Sequence, residues 1–568
     1  MRDAYFMQKR GRGSAQVIER TEKKPVSVDR WPRIEAFLDR HAVWLAVALV
    51  LIGTARIAST YAVFSHTFDE PAHIACGMEW LQKHTYNYEP QHPPLTRVMA
   101  ALLPSLAGAH GFNNPSMWDE GLAILFAKGS EDSTLALARA GILPFFWITC
   151  LIVFLCGRWI AGPAAAVAAV FFVTMTPTIL AHSGLATTDM GLTAMLLMAA
   201  YTGWRWLHEP VFWRAAAFGV STGLAVLAKL STLPFLPLTF LVALLVAAYF
   251  ERPSLARVAT LVRDRWLQFL VAMLLGAIVI WAGYRFSFGK PIDWTFSLPA
   301  PELFSGIDQV KKHSAVGHLT YLLGEVNTTG WPSFYLAALG VKLPLPVLAL
   351  GIVGLGLLFS GKRFGTRGSI VAGMVLGILG FASLFNRIVL GTRHILPVIV
   401  ALGIAGGCAT VWLLRVLKGR ALAQGAVGLM LLALAASSLV AHPNYLGYFN
   451  FFAGNKPENF LIDSDLDWGQ DTKRLAKRLK ELGATEISFR AFLPGDLRKL
   501  YGFPVVQPLS VDGPRPGWNV VSLTMLKLGM FGDARYVPDP GVQFWPDRIE
   551  PNERVGTSYL LFYAAPPR

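Results

Sequence analysis

Two carboxyls and an imidazole stand close together in Thr67-Phe68-Asp69-Glu70-Pro71-Ala72-His73, directly after a long apolar stretch. A second string, Asn87-Tyr88-Glu89-Pro90-Gln91-His92-Pro93-Pro94-Leu95, follows in the same polar region. A carboxylate held beside a membrane can accept the proton of an attacking hydroxyl as a general base. Adjacent acids in a polar stretch can equally be solvated loop residues. The density of Trp, Tyr, His and Pro around them points to an ordered loop lying on a membrane surface. Further on, Thr187-Thr188-Asp189 offers another acid at a helix start, where it can cap the helix or serve chemistry. The string Asp463-Ser464-Asp465-Leu466-Asp467-Trp468-Gly469-Gln470-Asp471 alternates acids in a way that suits Ca²⁺. Trp468 stands where a calcium loop needs Gly, so helix capping and a structural turn are the preferred reading.

The elements that must position these residues are apolar. Of 568 residues 54% are hydrophobic and 15% charged, with a mean hydropathy of +0.45. Soluble chains carry about 25% charged residues, so the composition points into a bilayer. A spanning helix needs about 20 mainly apolar residues. Eleven segments qualify as spans: 43–63, 135–159, 161–181, 187–206, 212–230, 233–250, 266–285, 343–359, 370–390, 394–417 and 421–441. The first is expected to act as an uncleaved signal anchor, and residues 95–109 as an interfacial helix. The net charge of +15 sits largely in short loops, where it sets topology and gives no reason to expect nucleic acid. Four cysteines without metal or disulfide spacing indicate neither kind of site.

Every second loop is basic: Arg205 and Arg214; Arg252, Arg257, Arg263 and Arg265; Lys362, Arg363 and Arg367; Arg415, Lys418 and Arg420. The positive-inside rule then puts the N-terminus in the cytoplasm and the C-terminal region outside. The expected organisation is a polar cytoplasmic tail at 1–40 and a transmembrane domain at 41–441 with outer loops 64–134 and 287–342. A soluble extracytoplasmic α/β domain at 442–568 completes it, with a helix at 472–482 and strands at 486–492, 519–523 and 558–563. On this topology Lys229, Arg285, Arg393 and His394 all fall on the outer side, against the charge trend. Any one of them can be a side chain snorkelling to the headgroups; four together ask for another reason.

The string FDE-x-x-H at 68–73, followed by HPPL at 92–95, resembles the first-loop signature of the protein O-mannosyltransferase superfamily, which includes the aminoarabinose transferases. The resemblance continues through Thr176-Pro177-Thr178 to Asp189, Lys229-Leu230-Ser231, Trp281 to Arg285, His318 to Glu325, Lys342-Leu343-Pro344-Leu345, Gly391-Thr392-Arg393-His394 and Asp463 to Asp471. It implies a type C glycosyltransferase fold, an all-α polytopic bundle of about eleven transmembrane helices with a small C-terminal α/β domain. It further implies Asp69 as catalytic base, and Glu70 and Asp189 as acids that orient sugar or acceptor. Lys229, Arg285, Arg393 and His394 would bind the donor phosphate, and His73, His92 and Glu325 would contact substrate or order the loop.

The expected function is a membrane glycosyltransferase, hexosyl or pentosyl. It would move a sugar from a polyprenyl-phosphate donor to an extracytoplasmic acceptor hydroxyl with inversion, in a cell (inner or plasma) membrane. The acceptor stays open among glycan, lipid and protein. A divalent cation also stays open, because some type C relatives use one and the mannosyltransferases do not. Fixed cations aimed at a departing phosphate stabilise the transition state more than the ground state. The competing class is a secondary transporter or lipid-linked sugar flippase. Against it stand the outer-loop position of the acids and the lack of paired broken helices in corresponding halves.

Overall fold

The computed structural model describes residues 31–359, 364–530 and 544–566. Residues 1–30 of the expected tail lie outside the described residues. The part within them, from Trp31, continues the first helix, which runs Trp31–Ala58. One ion pair and one hydrogen bond hold this polar extension: Arg415 Nε donates to Glu35 across 2.7 Å, and Asp39 accepts from the Ala164 amide at 2.8 Å. The expected tail is therefore helical from residue 31.

Each of the eleven apolar segments holds a helix, although the one expected at 370–390 ends at Leu384. Among the described residues seven helices are long and apolar enough to cross a membrane, and the pair Pro163–Thr174 and Pro177–Ser183, bent by 69° at its break, makes eight when counted as one span. The remaining three depart from the expected form. Phe212–Ala228 and Leu345–Phe359 have 17 and 15 residues, and Asp189–His208 carries Asp189 in its first turn and Arg205 in its last. Most of Asp189–His208 is buried. A helix enclosed by other helices needs no uniformly apolar outer face, so its sequence can carry polar groups. The structure is that of a multi-pass membrane protein.

The first loop is built from the helices Glu70–Gln82, Pro94–Leu106 and Met117–Phe126. The expected interfacial helix at 95–109 is the second of these. The later loop holds two small hairpins, β1 (Phe288–Gly289) with β2 (Leu298–Pro299) and β3 (Thr320–Leu322) with β4 (Glu325–Asn327), around the helix Pro301–Val316.

Past the last long helix, Ala421–Val440, a five-stranded sheet forms from β5 (Glu486–Phe489), β6 (Val505–Gln507), β7 (Gly517–Ser522), β8 (Glu553–Val555) and β9 (Tyr559–Ala564), in the order β6-β5-β7-β9-β8. β5 runs parallel to β6 and β7, whereas β9 is antiparallel to β7 and β8. The helix Thr472–Glu481 buries Leu475 and Leu479 in one apolar cluster with Ile487 and Phe489 of β5 and Val520 of β7.

The sheet region and the bundle are tied together where the first loop begins. Ser65 and Phe68 donate their amides to the Gln470 and Trp468 carbonyls, each at 3.1 Å. Two of the alternating acids at 463–471 brace the turn within the sheet region. Asp467 accepts from Ser522 Oγ (2.7 Å) and the Thr524 amide (3.0 Å), and Asp471 from the Thr557 amide and Ser558 Oγ, both at 2.9 Å. Their oxygens are occupied by protein donors, as a structural turn requires.

Candidate active site

Asp69 precedes the helix Glu70–Gln82 at the capping position, yet its side chain makes no capping bond. Such a residue ordinarily satisfies amides of the first turn. Here its Oδ2 accepts instead from Arg393 Nη1 at 2.7 Å. Arg393 is delivered by the turn Thr392–Ile395 at the start of the helix Leu396–Val416. That turn is gripped by the sheet region. Thr392 gives its amide (3.1 Å) and hydroxyl (2.5 Å) to the Asp465 carboxylate, and Ser464 Oγ donates to the Leu390 carbonyl at 2.8 Å. The guanidinium lies 4.2 Å from the ring centre of Trp468. Gly391 has φ +80°, and a Cβ there would stand 2.8 Å from Asp465 Oδ2, so any side chain strains the turn and presses on that carboxylate.

Behind this pair, buried Asp189 receives Lys229 Nζ at 2.6 Å on Oδ1, while its Oδ2 stands 4.0 Å from Arg393 Nη1. Lys229 ends the helix Phe212–Ala228 in an extended conformation, which turns its side chain back onto the Asp189–His208 helix. Glu70, one residue after Asp69, faces the other way. It accepts from Arg139 Nε (2.9 Å) and Nη2 (2.8 Å) and from the amides of Thr67 and Ala186, both at 2.8 Å. Burial opposes its charge, but Arg139 and these donors hold its carboxyl below the usual range.

Asp69, His73, His92, Lys229, Arg393 and His394 line one cavity of about 820 Å³. The bundle supplies its floor. The sheet region supplies Asp463, Trp468, Arg490, Phe492 and Met525 opposite. Two sequence candidates do not reach it. Arg285 follows the end of its helix with φ +55° and turns outward, donating to the Trp80 carbonyl at 2.9 Å and lying 3.8 Å over the Trp80 ring. Glu325 is exposed on β4, beyond the cavity wall. Two more, Glu70 and Asp189, sit behind the wall as partners of cations. His394 Nδ1 lies 3.0 Å from the Ile388 carbonyl, an acceptor, so that nitrogen carries hydrogen. Nε2 must be protonated as well before His394 acts as a cation.

Sequence reasoning passed over several wall residues. Arg97 was hidden inside an apolar helix, where an arginine reads as a snorkelling side chain. Asp463 was absorbed into the turn motif. It adopts φ +58° and lines the cavity, where burial pushes its carboxyl up to about 6; Arg393 opposes that rise and Asp69 adds to it. His318, quoted within a motif but given no role, has its imidazole driven down to about 4 by burial and by His313 and Arg393. Among the described residues, no three His, Cys, Asp or Glu side chains converge as a metal-ligand set.

No protein-family model matches the chain, and no curated protein matches it. Solved structures do. ArnT from Cupriavidus metallidurans, bound to undecaprenyl phosphate, is 14% identical over 92% of this chain and 99% of that one, with a TM-score of 0.48. The Archaeoglobus fulgidus oligosaccharyltransferase, tethered to an acceptor peptide, is 12% identical over 82% of this chain and 61% of that one, with a TM-score of 0.49.

Proposed function

We propose that the protein is a membrane glycosyltransferase that takes a sugar from a polyprenyl-phosphate donor and places it on an acceptor hydroxyl. The observation that carries this reading is the meeting, in one cavity at the end of an apolar bundle, of an uncapped carboxylate, Asp69, with two cations, Arg393 and Lys229. A phosphate on a long isoprenoid matches both halves of the setting: its tail partitions among apolar helices and its head needs fixed positive charge.

In the reaction the acceptor hydroxyl attacks the anomeric carbon while Asp69 takes its proton. The new C–O bond forms as the bond from the anomeric carbon to the phosphate oxygen breaks, and the electron pair stays on the phosphate. Lys229 and Arg393 stabilise the charge that develops there, a contribution that grows toward the transition state. Asp189 holds both cations in place from behind. The orientation proposed for this chemistry has the cavity on the extracytoplasmic face, where a nucleotide sugar is not supplied and a lipid-linked one is.

The test is transfer of label in liposomes holding the full-length protein, a panel of labelled polyprenyl-phosphate sugars and crude envelope acceptors. Transfer by the wild type that Asp69→Asn abolishes is expected. Movement of unmodified donor across the bilayer with no transfer from any donor would replace the enzyme with a flippase.

A further inference from the structure

Arg97 lies buried in the cavity wall on the helix Pro94–Leu106, pressed against the Glu70–Gln82 helix at Gly77, where a Cβ would meet the Arg97 carbonyl at 2.0 Å. Its Nε donates to His73 Nδ1 at 3.0 Å. A guanidinium has five N–H donors and no acceptor. His73 Nδ1 must therefore present a lone pair, which places the ring hydrogen on Nε2. Burial and the Arg97 charge hold this imidazole well below its ordinary range, so it stays neutral.

His92 has the opposite arrangement. Its Nδ1 lies 3.0 Å from Glu89 Oε2. Glu89 is ionised, held far below the usual carboxylate range, against burial, by Arg97 and His92. An ionised carboxylate only accepts, so His92 Nδ1 carries the hydrogen and Nε2 the lone pair. Arg97 Nη2, 3.3 Å from the same nitrogen, is directed at that same Glu89 oxygen. Burial lowers His92 too, despite Glu89. The two rings meet edge to face with centroids 5.4 Å apart, and both line the cavity. His73 sits one helical turn past Asp69, its amide bonded to the Asp69 carbonyl at 3.1 Å.

Resting on the glycosyl-transfer reading, we infer that His73 and His92 form a donor and acceptor pair that recognises a neutral hydroxyl of the transferred sugar, with His73 giving an N–H and His92 a lone pair. The chemistry selects among ligands. A phosphate oxygen accepts only and would face the His92 lone pair. An ammonium donates only and would face the His73 N–H. A hydroxyl does both. The cluster is also neutral in sum, because Arg97 and Glu89 offset each other. Charge recognition is thereby left to Lys229 and Arg393, and the donor class is an uncharged sugar with a free hydroxyl at this contact.

The test uses the full-length protein in liposomes with four probes: a polyprenyl-phosphate hexose, the matching pentose, and the deoxy and amino-deoxy forms of whichever is preferred. The wild type is expected to favour the hydroxyl form over both modified forms by roughly tenfold in kcat/KM, as one hydrogen bond allows. His73→Phe should raise KM for the hydroxyl donor by a similar factor with kcat little changed, the mark of lost binding. His73→Gln, whose amide can replace the Nε2 hydrogen, should restore most of it. Equal use of the amino-deoxy donor, or an unchanged KM in His73→Phe, overturns the pair while leaving the transferase reading intact. No transfer from any donor defeats that reading itself. The tautomer is read without turnover by ¹⁵N spectra of histidine-labelled protein in bilayers, assigned with His73→Gln. A hydrogen on His73 Nδ1 overturns the inference.

Discussion

Arg393 gives one guanidinium nitrogen to two carboxylates, reaching Asp69 at 2.7 Å and Asp189 at 4.0 Å. The two acids are not equivalent. Asp189 is buried and already answered by Lys229, whereas Asp69 stands on the cavity wall with Arg393 as its partner. Arg393 thus links the acid on the cavity wall to the buried Lys229–Asp189 pair behind it. A general base contributes about 10²–10⁴ in rate. Asp69→Asn should lower kcat by that range, with donor affinity nearly unchanged and the thermal midpoint close to wild type. A fall in donor affinity equal to the fall in kcat would place Asp69 among the binding groups instead.

Glu70 differs from its neighbour in consequence as well as in direction. Its pair with Arg139 is buried on both sides, and removing one partner of such a pair costs about 3–5 kcal/mol because a charge is left unanswered. Arg139→Met should therefore lower the unfolding midpoint in detergent sharply. The double variant Glu70→Gln/Arg139→Met should recover much of the loss. Glu70→Gln alone should reduce turnover per folded molecule by less than about tenfold, well short of the effect at Asp69. Loss at Glu70 as large as at Asp69, with folding intact, would show that it meets substrate.

The topology put Asp69, Lys229 and Arg393 on one outer side, each near the end of an apolar stretch, and the family resemblance singled out Asp69 among them. The sides on which neighbours point were not legible. Successive residues at a helix start diverge by roughly 100°, so residue types alone did not separate Asp69, on the cavity, from Glu70, behind it; only the family resemblance gave them different roles. Arg285 lies in register with the other outer cations, but the left-handed backbone after its helix turns it onto Trp80. Helix positions were read from hydropathy, which follows lipid exposure. It described Thr232–Glu251 and Ala421–Val440 well and placed even the buried Asp189–His208 within two residues, but it gave no sign that this helix is enclosed by others. The turn at 463–471 was read as local structure. Its hold on Thr392 depends on a contact between residues far apart in the chain, which no local pattern shows.

Asp463 gives a pH dependence whose sign can be worked out. Its carboxyl titrates near 3.8 in an unfolded chain and at about 6 in the folded protein, raised by burial and Asp69 and opposed by Arg393. The stability tied to the protonated form is full below the lower value and is lost as pH rises through the upper one. Between about pH 4 and about pH 6, wild type should therefore lose thermal stability relative to Asp463→Asn as pH rises, and the difference should level off above that. His318, lowered to about 4, acts in the opposite sense, but it is present in both proteins and drops out of the difference. Unfolding midpoints of the two proteins across this window check the prediction. A flat difference would mean that Asp463 keeps its ordinary titration.

Gly391 tests whether the sheet region sets the position of Arg393. At φ +80° an L side chain is strained, and the added Cβ would press on Asp465 Oδ2, the carboxylate that holds Thr392. Backbone strain of this kind costs about 1–3 kcal/mol, which a large bundle survives. A shift of about 1 Å in a positioned group can cost on the order of 10²-fold in rate. Gly391→Ala should therefore remain folded in the membrane, with a modest fall in its unfolding midpoint and a much larger fall in kcat. Asp465→Asn, which weakens the same grip without adding a methyl group, should move both quantities in the same direction by less. If Gly391→Ala loses stability and activity in proportion, the turn is only a structural connection, and Arg393 is positioned by the bundle alone.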